Sequence, residues 1–269
     1  MALPNLKILE AGECSISYRE RGTGDALLFV HGMGCGSVNW ETQYEYFSDR
    51  YRVIGWDAPG YGKSGTFETD LPSVADYVML MSEFLNELNI QQVHLVGHSY
   101  GAVLVAAFHR AFSDRVLSLT LAQPVVGCGL SKPDAREKEI MERVTLVEDM
   151  GMDGFAAFHV PRSCAPGALP KVVKKGIELT SVISKEGYLR QFQSLKHANI
   201  YEWTGSTHIP SMIVSGEYDK TASEEVAISI AEAMPGTRHE IIPDIGHMIY
   251  LEFPERFNQL LDELLKECF

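Results

Sequence analysis

Long hydrophobic runs are missing from this 269-residue chain: the longest strongly apolar stretch, Gly101 to Phe108, falls far short of the roughly 18 to 20 residues that a membrane-spanning helix needs. No membrane span is expected. Basic residues are also scarce, 23 Lys and Arg against 36 Asp and Glu for a formal charge of -13. Nucleic-acid binding draws most of its affinity from cations that neutralise phosphates, so no nucleic-acid partner is expected and a small-molecule substrate is. Cysteines number five, Cys14, Cys35, Cys128, Cys164 and Cys268, an odd and scattered set without a C-x-x-C pair. They read as reduced thiols rather than a disulfide framework. The opening MALPNLKILEAGE has neither the basic start nor the apolar run of a secretory signal, so an unprocessed, cytoplasmic chain is expected. Internal repeats, low-complexity tracts and flexible linkers are absent as well.

What is there is the composition of a folded chain, 45% hydrophobic and 22% charged, which excludes disorder and fibrous repeats. The length suits one large domain with an insertion, or two small ones. The first half alternates short apolar runs with amphipathic ones: LKILE, SISYRE, ALLFV, YRVIGW and VHLVG, the runs ending in glycine-rich turns. That alternation is the pattern of a parallel α/β sheet. Within 70–89, Val74, Tyr77, Val78, Met81, Phe84, Leu85 and Leu88 recur at spacings of three and four, which predicts an amphipathic helix. YGAVLVAAFHRAF, almost wholly apolar and too long for a strand, reads as a buried helix, and VLSLTLA as the strand after it.

From 125 to 208 strand-like runs disappear. Helical segments such as DAREKEIMERVTLVEDM and GYLRQFQSLKHAN replace them, with Pro161, Pro166 and Pro170 expected to break the middle. Alternation resumes with SMIVSG, a helix near SEEVAISIAEAM, the strand HEIIP and a last helix from Pro254 to Glu267. The expected organisation is a core of 1–124 and 209–269 around a helical insertion of 125–208.

The strongest local signal is Gly97-His98-Ser99-Tyr100-Gly101 between an apolar strand and an apolar helix, a G-x-S-x-G in its required context. A serine on so tight a turn projects outward, and the following helix aims free N–H groups at whatever lies beside its hydroxyl. A serine hydroxyl needs a base. Among the nine histidines only His247, in Asp244-Ile245-Gly246-His247-Met248, lies in a loop after a late strand. A base needs an orienting carboxylate, and Asp219 in Ser215-Gly216-Glu217-Tyr218-Asp219 is favoured over Glu217, Asp244 and Glu252, each of which also fits a loop or capping role. Two decoys fail. Gly32-x-Gly34 imitates a dinucleotide fingerprint but has Ser37 at the third glycine, and Gly62-Lys63-Ser64 imitates a P-loop but has Asp57 where its first glycine belongs.

This set resembles the serine-dependent branch of the α/β-hydrolase fold superfamily. Outside the insertion the resemblance covers nearly the whole chain: Val30-His31-Gly32-Met33-Gly34, Trp40 in the helix behind it, Asp57-Ala58-Pro59-Gly60-Tyr61-Gly62-Lys63-Ser64, the serine turn, the aspartate loop and Gly246-His247. It implies a mostly parallel eight-stranded sheet flanked by helices, and a helical cap that closes over the serine and sets specificity. It also implies a Ser99, Asp219, His247 triad, an oxyanion hole of the Met33 and Tyr100 N–H groups, and no cofactor or metal. His31 and Asp57 are expected to shape the loops beneath the site. Phe155, Phe158, Tyr188, Phe192 and Trp203, with His159, Arg162 and Arg190 as polar candidates, are the insertion residues from which a pocket would be drawn. The implied activity is hydrolysis of a small carboxylic ester, lactone or thioester. Carbon–carbon hydrolases of ring-cleavage products share this architecture but usually carry Asn before the serine and Trp after the histidine, where this chain has His98 and Met248. Dehalogenases and epoxide hydrolases of this fold carry Asp in place of the serine. A ligand receptor that keeps the triad is the reading outside enzymes, and no motif addresses the oligomeric state.

Overall fold

The computed structural model describes residues 2–268. Eight strands form one sheet: β1 (Leu6–Ala11), β2 (Cys14–Arg21), β3 (Ala26–Val30), β4 (Arg52–Trp56), β5 (Val93–His98), β6 (Val116–Ala122), β7 (Ser211–Gly216) and β8 (Arg238–Ile242). Their order is β1-β2-β4-β3-β5-β6-β7-β8. β1 and β2 pair antiparallel, as do β2 and β4, and every pair from β4 onward is parallel.

Strand alternation sends side chains to two cores. Leu28, Val30, Ile54 and Leu95 face helices α2 (Val74–Glu87) and α3 (Tyr100–Ala111). Leu27, Phe29, Val53 and Val96 face α1 (Glu41–Phe47) and the C-terminal helix Pro254–Leu265. Both faces are covered, which is why β3 and β5 are buried along their length, β3 wholly apolar and β5 apolar apart from His94 and His98. The first of these helices starts later than the 70–89 window, at Val74, because Ser73 caps it: its hydroxyl accepts the Asp76 N–H at 3.3 Å while the Asp76 carboxylate accepts the Ser73 N–H at 2.7 Å. Trp40 closes a 3-10 turn, Ser37–Trp40, rather than lying in α1.

Between β6 and β7 come α4 (Pro133–Ser163), α5 (Pro170–Ser181) and α6 (Lys185–Leu195). Here the proline expectation holds for the break between α4 and α5, which contains Pro166 and ends at Pro170, and is corrected for Pro161. Pro161 lies inside α4 near its end, and the bend falls at Gly151, whose φ of 64° leaves the helical region. Pro170 starts α5 at its first turn, where a missing N–H costs nothing. After β7 come α7 (Glu224–Glu232), α8 (Ile249–Glu252) and α9 (Pro254–Leu265), and the last helix gives way at Lys266 to a 3-10 turn. Among the described residues no helix is long and apolar enough to cross a membrane.

The sheet order reverses direction between β3 and β5, so the loops leaving their carboxyl ends diverge and open a crevice. That is where open α/β sheets place ligands, and the Gly32 and Ser99 loops stand on either side of it.

Candidate functional site

Ser99 follows the last residue of β5 and directly precedes α3. Its backbone has φ 56° and ψ -118°, a left-handed conformation that L side chains rarely adopt, and it lifts the hydroxyl off the sheet edge. The turn survives because its neighbours are bare. A Cβ on Gly101 would stand 2.1 Å from the Val30 carbonyl, and one on Gly32 would stand 2.8 Å from the Ser99 Cβ. β3, β5 and α3 approach too closely at these points for any other residue.

The Ser99 hydroxyl donates to His247 Nε2 at 2.9 Å, and His247 Nδ1–H donates to Asp219 Oδ2 at 2.7 Å. The three residues are 6%, 7% and 4% exposed. The other carboxylate oxygen of Asp219 accepts the N–H groups of Thr221 and Ala222, both at 2.8 Å, so the acid is fixed from its own loop. Of the rival carboxylates, Glu217 accepts the Asp244 N–H at 3.1 Å. Glu252 accepts three backbone N–H groups: Ala165 at 2.8 Å, Gly246 at 3.0 Å and Met248 at 3.0 Å. Such a hydrogen-bonded chain lets the imidazole take the hydroxyl proton as the oxygen attacks, while the carboxylate stabilises the imidazolium.

Three further groups fix the histidine loop, and motif reasoning passed over their role. His98 Nε2–H donates to the His247 carbonyl at 2.8 Å and stands 3.2 Å from the Gln123 Oε1. Burial, and next the proximity of His247, push His98 down to about 3, so it stays neutral. Gln123, fully buried after β6 with a φ of 50°, donates to the Gly246 carbonyl and accepts the Ile249 N–H at 3.2 Å. The His247 N–H itself donates at 2.6 Å to the carbonyl of Ser163, the last residue of α4. The helical segment therefore grips the loop that carries the histidine.

Tyr100 is the first residue of α3, so its N–H has no partner within the helix. Met33 lines the same small cavity as His98 and His247, an enclosed space of about 20 Å³ whose far wall is Phe155, His159, Thr180 and Tyr188. That is room for about one water. Cys35 also lines it, but burial pushes the thiol up to about 11, which leaves little thiolate at neutral pH. His31 and Asp57 brace the loops below. His31 Nε2 accepts the Ala58 N–H at 2.9 Å, and Asp57 accepts the Ser17 hydroxyl at 2.7 Å and the Ser37 N–H at 2.6 Å.

Among the insertion residues singled out by sequence, Phe155, His159 and Tyr188 reach the cavity, and Phe192 stacks on Tyr188 behind it. Phe158 is exposed under Arg162, whose guanidinium covers its ring at 3.8 Å, and Trp203 lines a groove elsewhere. Arg190 pairs with Asp70 at 2.6 Å and Glu186 at 2.9 Å on the surface. Among the described residues no group of three or more His, Cys, Asp or Glu side chains is placed to hold a metal ion.

A parallel sheet with β5 running into a strained serine turn, and a histidine and a carboxylate brought to that serine from later loops, defines an α/β hydrolase. The chain belongs to the alpha/beta hydrolase fold family, whose profile matches residues 25–254. It is 25% identical over 252 residues to (E)-2-((N-methylformamido)methylene)succinate hydrolase of Acinetobacter baylyi, covering 93% of each chain. It is 24% identical over 267 residues, 96% of each chain, to 3-oxoadipate enol-lactonase 2 of the same organism. Among solved structures, a thermophilic esterase from Thermogutta terrifontis superposes with a TM-score of 0.86 at 24% identity, over 98% of this chain and 99% of the esterase. At that identity the likeness is one of fold.

Proposed function

We propose that this hydrolase cleaves a small carboxylic ester, lactone or thioester through an acyl-enzyme on Ser99. The observation that carries the reading is the unbroken, buried hydrogen-bond chain from Ser99 through His247 to Asp219. Ser99 Oγ attacks the carbonyl carbon as His247 Nε2 takes its proton, and Asp219 holds the imidazole in the tautomer that leaves Nε2 free. The carbonyl oxygen becomes an oxyanion beside the N–H groups of Tyr100 and Met33. Donors aimed at developing charge contribute on the order of 100- to 1000-fold each. His247 then gives its proton to the leaving oxygen or sulfur, and the acyl group remains on Ser99. Water attacks next with His247 as base, and the acid product leaves. These steps use protein groups and water alone.

In this reading 125–208 is a cap over a core of 1–124 and 209–269. The cavity beneath it holds little more than a water, so the cap opens to admit substrate. The five free cysteines suit a cytoplasmic enzyme.

A carbon–carbon hydrolase is the second reading. A relative 25% identical over 97% of this chain is a 2-hydroxy-6-oxononadienedioate/2-hydroxy-6-oxononatrienedioate hydrolase of Paraburkholderia phymatum. Against it stand His98, turned to the His247 carbonyl, and Met248, at the two positions where that chemistry usually has Asn and Trp. A series of p-nitrophenyl esters from acetate to decanoate, run beside Ser99→Ala and with fluorophosphonate labelling, separates the readings. Turnover and labelling, both lost in the variant, support the esterase. Labelling without turnover of any ester moves the assignment to carbon–carbon cleavage or to a slow ligand receptor. No labelling removes the serine mechanism.

A further inference from the structure

The chain carries a charge of -13, yet the cavity beside Ser99 has no carboxylate in its wall. Behind the wall, Asp219 and Glu252 are committed to the histidine loop, and on the Tyr188 side stands a cation that no sequence signal singles out. Arg143, on α4, lays its guanidinium 5.6 Å from the ring centres of both Phe155 and Phe192 and donates to the Tyr188 hydroxyl at 3.2 Å. Arg190 and Arg238 have carboxylate partners at 2.6 to 2.9 Å. Among the described residues no acidic side chain pairs with Arg143.

Tyr188 is only 2% exposed and lines the cavity. Its oxygen accepts from Arg143, but among the described residues its own O–H donates to nothing. A buried donor left uncommitted is costly, and the cost is offset when an acceptor arrives. Its neighbour His159 cannot supply positive charge: burial first, then the Arg143 cation, push it down to about 3. A neutral phenol in the cavity wall, with a cation at its hydroxyl, is a donor for anionic oxygen.

The side of the substrate follows from the openings. An open depression of about 590 Å³, lined by Arg162, Ser163, Lys220 and Thr221 among others, adjoins the Asp219 loop and offers a leaving group its way out. The enclosed space under Tyr188 is left for the acyl part. We propose that Tyr188, backed by Arg143, is a specificity-determining pair, and that the preferred substrates carry a carboxylate at the far end of the acyl chain.

The inference rests on Ser99 being the nucleophile, and boronic acids test the two separately because they form tetrahedral adducts with an activated serine. Calorimetric Kd values of the full chain are compared for 2-carboxyethyl-, 3-carboxypropyl- and 4-carboxybutylboronic acid and for neutral isosteres in which isopropyl replaces the carboxylate. The best carboxylated compound is expected to bind about 10- to 100-fold tighter than its isostere, the range for a hydrogen bond to a charged group. Arg143→Met and Tyr188→Phe, checked for folding by circular dichroism, should bring that ratio to within about threefold of one. Equal or tighter binding of the isostere by the wild type overturns the proposal and needs no variant, as does a preference that survives both substitutions. Failure of every boronate to bind overturns the Ser99 reading, and the proposal falls with it.

Discussion

The sheet edge and the helical segment above it build the site in different ways. On the edge each participant is held by backbone: Ser99 by a left-handed turn pressed between glycines, Asp219 by two N–H groups of its own loop, His247 by the Ser163 carbonyl below its N–H and by His98 at its carbonyl. The wall contributed by α4, α5 and α6 is made instead of packed side chains, Phe155 on His159 and Tyr188 beside Phe155, with Arg143 behind them. Backbone geometry fixes a reaction and tolerates little change, whereas packed side chains can be exchanged at modest cost. The edge should therefore set whether the protein turns over, and the wall which substrate it prefers.

Substitutions can break that division. The largest effect is expected for Ser99→Ala, which should lower ester turnover by about 10⁴-fold or more, read as kcat on p-nitrophenyl butyrate. Asp219→Asn should cost on the order of 10⁴-fold, through loss of the tautomer that frees Nε2. A harmless Asp219→Asn beside a crippling Glu217→Gln would move the acid to the neighbouring residue. Glu252 joins the two regions, since one carboxylate holds Ala165 of the helical segment and Gly246 and Met248 of the histidine loop. Glu252→Gln should lower kcat by about 10- to 100-fold, the scale of an ångström-sized misplacement. KM should stay near wild type and Glu252→Asp should restore part of the loss; a purely structural role would instead lower the melting temperature and leave kcat per folded molecule unchanged.

The meeting of Ser99, His247 and Asp219 was legible because each piece demands a backbone signature: glycines around Ser99, a short strand ending ahead of Asp219, a Gly-His loop after the last strand. The cap of Ser73 and Asp76 is an equally local signal, but the periodicity alone places that helix within 70–89, and it starts four residues inside the window. The wall was not legible in this way. Phe155 and Tyr188 were named among several apolar residues without a means of ranking them. Arg162 and Arg190 drew notice as cations, and both lie on the surface, while Arg143 went unmarked in a charged helix. Which face of α4 turns inward depends on the bend at Gly151 and on contacts with α6, and neither is written in a local pattern. Pro161 misled for a related reason. In the last turns of a helix already held by its neighbours, a proline need not end it.

The smallest effect concerns stability and lies outside both regions. His94, buried in β5 with Nδ1 2.9 Å from the Ser118 hydroxyl, is pushed down to about 4, with burial the largest cause. Its unfolded form takes up a proton near the ordinary value of about 6.5 while the folded form stays neutral, so stability falls as pH drops from 7 toward 4. The loss from this residue between pH 7 and 5 is about 2 kcal/mol. Urea midpoints at the two pH values should separate less in His94→Gln than in wild type; an unchanged separation would show that His94 does not titrate in this way.

The central claim, that Ser99 carries the acyl group, is tested most directly by acid-quenching the wild-type enzyme during steady-state turnover of p-nitrophenyl butyrate and weighing its peptides. The account expects a butyryl mass increment on the peptide containing Ser99, appearing with a burst of nitrophenol and absent from Ser99→Ala. Steady turnover with no acyl increment on that peptide, or an increment placed on another residue, would contradict it.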